Sequence, residues 1–181
     1  MLAKNEFRNT INKEFPNWAD KIKKVDINDA RLNAALFRDY SILSAAYLLE
    51  PCHQSFVKTK NYGIGSDHLP EQLAMPLKFL SDRVRNGNPL LDYAYGYGLN
   101  NWMFTEDPTP GTIHYKNEMV LPSRSRGLKE HIKPIRKFNG CTDEHGFIVV
   151  HCAINALTHD LIKSFDTMYE GARAKDRSAV N

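Results

Sequence analysis

The chain has 181 residues, with 24 lysines and arginines against 21 acids, and 42% of its residues are apolar. That balance excludes collagen-like, disordered and supercharged proteins, and a chain of this size can bury roughly 70% of the surface it exposes when unfolded, enough for one core without metal or disulfide staples. No apolar run approaches the ~20 residues of a membrane span and the first residues carry no signal-peptide pattern, so the expectation is a cytoplasmic protein with no membrane partner.

Residues 1–29 mix polar and apolar positions around Pro16, Trp18 and the cluster Lys21, Lys23, Lys24, and read as a loosely ordered lead-in. From 31 to 49 the apolar set Leu32, Ala35, Leu36, Leu43, Ala46, Tyr47 recurs at spacings of three and four around Arg38 and Asp39, which predicts an amphipathic helix. Pro51 disfavours helical geometry in the residue before it, so that helix should stop near Glu50. Gly63 and Gly65 lie in a loop, lack the third glycine of a dinucleotide fingerprint, and predict a turn. A second periodic stretch, Leu73, Leu77, Leu80, Val84, ends at Asn86-Gly87-Asn88-Pro89 and predicts another helix.

A third helix is expected over 90–104, with Tyr93, Tyr95, Tyr97 and Trp102 interleaved with Gly96 and Gly98. Those two glycines cost it roughly 2 kcal/mol relative to alanine, which points to close approach by a backbone or a flat ligand. Residues 105–141 read as a long irregular connection. Its stretch 121–140 holds Arg124, Arg126, Lys129, Lys133, Arg136 and Lys137 against one acid, Glu130, and is either a solvated loop or an anion-facing loop over a pocket. The last helix is expected over 142–175, capped by Thr142 with Asp143 and Glu144 in its first turn. Phe147, Ile148, Val149, Val150, Cys152, Ala153, Ile154, Ala156 and Leu157 make its first half apolar nearly all round, the mark of a central helix. No repeat and no strand hairpin stands out, so the fold class is all-α, a helical bundle.

His151 is the most informative polar residue, because an imidazole within an apolar helix loses hydration unless something hydrogen-bonds it. Helical spacing puts Phe147 one turn before it and Asn155 one turn after. Two readings stand: a core histidine satisfied by a backbone carbonyl or by Asn155, or the polar contact of a dry pocket walled by Phe147. His151 and His159 lie about 12 Å apart along a helix, too far to share one ion, so no protein-only metal site is expected. Cys52, Cys141 and Cys152 fit neither a disulfide framework nor a zinc site and read as reduced thiols, the last two as packing residues. His68, His114, His131 and His145, in or beside loops, read as surface groups. The basic stretch lacks interleaved aromatics apart from Phe138, so no nucleic-acid partner is expected.

Two runs together resemble a known family. Leu69-Pro70 with Ala74-Met75-Pro76, followed by Asn88-Pro89-Leu90-Leu91-Asp92-Tyr93-Ala94 through Asn101-Trp102, is similar to the pattern of the indoleamine 2,3-dioxygenases. The run from Asp143 to His151 resembles the distal haem-pocket helix of the wider tryptophan dioxygenase superfamily, and the pyrrolnitrin-biosynthesis type of haem protein is the branch that fits best. The resemblance covers about residues 30–175. It implies an indoleamine 2,3-dioxygenase-like fold and a haem-dependent oxygenase acting with dioxygen on an indole or related small aromatic amine. Phe147, Val150 and His151 would face the haem, with His151 as the catalytic residue accepting the substrate's N–H. Phe147, Tyr97 and Ala94 would line the substrate, Ala94 standing where the indoleamine enzymes carry a pocket tyrosine.

The family's iron-ligating histidine aligns with none of the seven here, so the haem ligand is expected outside this chain. The chain then reads as the N-terminal half of such a protein: a lead-in over 1–29, a small helical domain and loop over 30–141, and the start of the haem-binding domain over 142–181. Its expected partner is the C-terminal half or a second subunit, and a homo-oligomer is also compatible. The rival reading is a non-catalytic helical protein that binds haem or docks a partner.

Overall fold

The computed structural model describes residues 6–90, 96–98, 100–104, 114–115, 118–119, 132–138 and 140–174. The chain divides into two compact units, Met1–Asn101 with Arg136–Cys141, and Trp102–Ile135 with Thr142–Asn181. Helices dominate both, and no helix among the described residues is long and apolar enough to cross a membrane.

The first unit is built from α1 (Phe7–Glu14), α2 (Ala19–Lys23), α3 (Ala30–Thr59) and α4 (Glu71–Val84). Their core joins Ile11, Ile22, Phe37, Tyr40, Tyr47, Leu73, Leu77 and Leu80. The expected helix over Leu73 to Val84 is present with the expected residues inward. The lead-in is not loose, however, because it folds as α1 and α2 and contributes Ile11 and Ile22 to the core.

Each short helix borrows a side chain from far along the sequence, α1 at its start and α2 at its end, while the start of α2 is served locally by Asn17 Oδ1, which accepts the Ala19 N–H at 3.0 Å. The exposed N–H groups at the start of a helix need acceptors. The buried carboxylate of Glu50 accepts from the N–H of Phe7 and of Arg8, both at 3.0 Å. At the other end of the problem, Arg83 of α4 donates to the carbonyls of Ile22, Lys23 and Val25 and to Asn33 Oδ1, at 3.0–3.2 Å, closing the last turn of α2.

α3 departs from expectation twice. It runs through Pro51 to Thr59, and from Phe37 to Leu48 it is buried or half-buried all round rather than amphipathic, while Leu32 and Leu49 are exposed. A proline in a helix removes one N–H and loosens the carbonyls one turn before it. Here the loop after α3 supplies a donor, since Ser66 N–H reaches the Leu48 carbonyl at 2.8 Å. Gly65 permits that approach, because a Cβ on it would stand 2.9 Å from the Leu48 carbonyl oxygen. Gly63 likewise lies against Ser55 and its carbonyl accepts from Cys52 Sγ at 3.1 Å, so the Gly63-x-Gly65 turn is a strap on α3.

A polar clamp completes this unit. Asn101, fully buried, donates to the Arg136 carbonyl at 2.9 Å and accepts the Arg136 N–H at 2.8 Å. Arg38, also buried, donates to the Asn100 carbonyl at 2.8 Å and to Asp39 at 2.7 Å, and Asp39 receives Arg136 at 2.8 Å. Burial pushes the Asp39 carboxyl up, but hydrogen bonds and charge from Arg38 and Arg136 outweigh it and hold the carboxyl below its ordinary value. A carboxyl depressed by folding stabilises the protein above its unfolded pKa, and that contribution disappears as pH falls through the folded value. Wild type is therefore expected to exceed Asp39→Asn by about 1 kcal/mol above pH ~5, with the gap closing below pH ~4, as read by urea unfolding across pH.

The second unit carries the strands that the sequence did not show. β1 (Trp102–Phe104) pairs antiparallel with β4 (Ile132–Pro134), Trp102 opposite Pro134 and Phe104 opposite Ile132, so the end of the third expected helix is extended. β2 (His114–Tyr115) pairs with β3 (Glu118–Met119). Residues 96–98 form a π turn, and residues 91–95 of that expected helix, with Tyr93, Ala94 and Tyr95, lie outside the described residues, as does residue 99. The long helix α5 (Thr142–Arg173) packs on β4 and β1.

Candidate active-site pocket on the last helix

α5 begins where expected, with Asp143 and Glu144 in its first turn. One side, through Ile148, Val149 and Cys152, is buried, as is Ile132 of β4. Burial pushes the Cys152 thiol up to about 11, so it stays protonated at neutral pH and serves packing. Cys141, by contrast, is exposed rather than packed. The other side of α5 is not enclosed by the described residues. Phe147 and Val150 are 49% and 45% exposed, and Leu161, Ile162, Phe165, Met168 and Tyr169 also face outward, so the helix is central on one side only.

That open side bears a cavity of about 610 Å3 at the start of the helix, within the roughly 300–1,000 Å3 of small-molecule sites. Phe147, Val150 and His151 form its apolar edge, and Asp143, His145 and Gly146 continue it toward the helix start. The ring centroids of Phe147 and His151 are 4.5 Å apart, tilted by 54°. His151 Nδ1 lies 2.7 Å from the Phe147 carbonyl oxygen. A carbonyl can only accept, so Nδ1 carries the hydrogen, and in the neutral ring Nε2 then holds the lone pair. One ring nitrogen of His151 is thus satisfied by the backbone, and the half-buried ring borders the cavity.

The surface of this wall suits a flat macrocycle. Phe147 and Val150 present apolar area, Gly146 presents bare backbone with no described atom within 4 Å of its missing Cβ, and the wall's edge ends in an acceptor. These features fit one face of a haem. Among the described residues, no group of three or more His, Cys, Asp or Glu is placed to hold a bare metal ion. The model of the family described as indoleamine 2,3-dioxygenase matches residues 4–181.

This chain belongs to the indoleamine 2,3-dioxygenase family.

No curated protein matches it. The indoleamine 2,3-dioxygenase family is one of haem-dependent dioxygenases, in keeping with the predominantly helical fold. The structure brings Phe147, Val150 and His151 of this family member into one cavity. Tyr97 belongs to the first unit, where its ring lies 5.5 Å from Phe138. Ala94 lies outside the described residues, as do Arg124, Arg126 and Lys129 of the basic stretch, while Arg136 is engaged by Asp39 and Lys133 and Lys137 are exposed.

Sequence reasoning missed His145, placed above with the surface histidines and found half-buried in the cavity lining. Helical spacing gave no signal for it, since Asp143, Gly146, Phe147, Val150 and His151 share one ridge at spacings of three and four and His145 lies off that ridge. It also missed the Arg38, Asp39, Asn101 and Arg136 clamp, for which the only hint was a charged pair inside an apolar helix.

Proposed function

We propose that this indoleamine 2,3-dioxygenase family member is a haem-dependent oxygenase acting on an indole or a related aromatic amine, with α5 as the distal wall of its pocket. The observation that carries the reading is the His151 ring, its Nδ1 tied to the Phe147 carbonyl, standing beside the exposed Phe147 face in an apolar cavity. When bound, the haem supplies the dioxygen chemistry. This chain's residues supply position and dryness. Phe147 and Val150 hold the macrocycle's face and keep water away from it. His151, through the lone pair of Nε2, accepts the N–H of the substrate and so fixes which edge of the aromatic ring is presented. None of the three ligates the iron in this reading.

An absorption spectrum of the purified protein with added haemin tests this directly. The expected result is a saturable Soret band that shifts on adding an indole amine such as tryptamine. A colourless protein that takes up no haemin overturns the reading in favour of a partner-docking helical protein.

A further inference from the structure

A glycine inside a helix gives up helix stability, so it normally marks a strained backbone or a close contact. The other glycines with described surroundings have such reasons. Gly63 and Gly65 lie against Ser55 and the Leu48 carbonyl, each contact 2.9 Å from a would-be Cβ, and Gly87 and Gly140 have φ of +83° and +75°. Gly146 has neither. It sits in the second turn of α5 without a positive φ, and no described atom comes within 4 Å of where its Cβ would stand. What Gly146 does face is the cavity, beside Phe147 and His151.

We infer that Gly146 is a cofactor-binding residue, its missing side chain leaving room for the haem to lie against the backbone of α5; this role rests on the function proposed above. A methyl at this position improves the helix and intrudes on the cavity at once. The two effects have opposite signs, which a residue needed only for folding cannot reproduce.

The test compares wild type with Gly146→Ala in two measurements. Without haem, the variant is expected to melt about 2–4 °C higher, because alanine is the better helix former and nothing described obstructs it. In a haemin titration followed at the Soret band, its affinity is expected to fall by about 10-fold or more. Gly146→Leu should abolish saturable uptake while keeping the wild-type helical circular dichroism. Equal haemin affinities for wild type and Gly146→Ala overturn the role of Gly146 and leave the haem reading standing. A lower melting midpoint in Gly146→Ala shows that the polypeptide itself needs the glycine and also overturns the role. Wild-type protein that takes up no haemin overturns both.

Discussion

His151→Ala is expected to lower turnover of an indole amine by about a hundredfold, close to 2.7 kcal/mol of transition-state stabilisation, while moving the melting midpoint by no more than about 2 °C. The separation follows from where the imidazole sits. Its ring is half-buried at the cavity edge, and the Phe147 carbonyl that Nδ1 donates to keeps its helical N–H partner when the side chain is removed. The Phe147 contact therefore adds little folding energy. Its proposed work is to offer Nε2 to one N–H of the substrate, and a misplaced substrate loses rate far more than an α-helix loses stability. Steady-state oxygen consumption beside a thermal melt gives both numbers. Comparable losses in the two would make His151 a packing residue and leave the substrate's N–H to another acceptor.

Asn101→Ala is expected to show the reverse pattern in stability, with a loss of about 2–4 kcal/mol measured by urea unfolding. The side chain is fully buried and makes a two-way contact with the Arg136 backbone, so its removal leaves a donor and an acceptor unpaired away from water. Asn101 and Arg136 also bracket residues 102–135, and the entropy of closing so long an excursion is offset in part by this clamp and by the neighbouring Arg38 and Asp39 contacts. Asn101→Asp keeps an acceptor for the Arg136 N–H but sets a buried carboxylate against the Arg136 carbonyl, so at neutral pH it should be no more stable than alanine. A loss below about 1 kcal/mol for alanine would mean that water replaces both bonds and that the clamp is not what holds this segment.

Punctuation and period carried the reading where an element organises itself. α4 has Leu73, Leu77 and Leu80 at helical spacing and ends ahead of Asn86-Gly87, and it was legible to within a residue or two. The start of α5 was legible for the same reason, and so was the ridge from Phe147 to His151, because a helix places residues four apart side by side whatever surrounds it. The strands were not legible. Each has two or three residues, too few to show alternation, and Trp102–Phe104 finds its partner only thirty residues later.

Local geometry alone accounts for a mostly helical chain, for the family pattern, and for a phenylalanine and a histidine one turn apart near the start of the last helix. Long-range packing settles that the first residues fold, that α3 continues past its proline, and which charged residues are buried. The reason is that those outcomes depend on acceptors and donors supplied from afar: Glu50 completes α1, Ser66 serves the Leu48 carbonyl, Arg83 closes α2, and Asn101 meets Arg136. A backbone group left unpaired in the interior costs more than local preference can return, so the partner that arrives through folding determines the local structure.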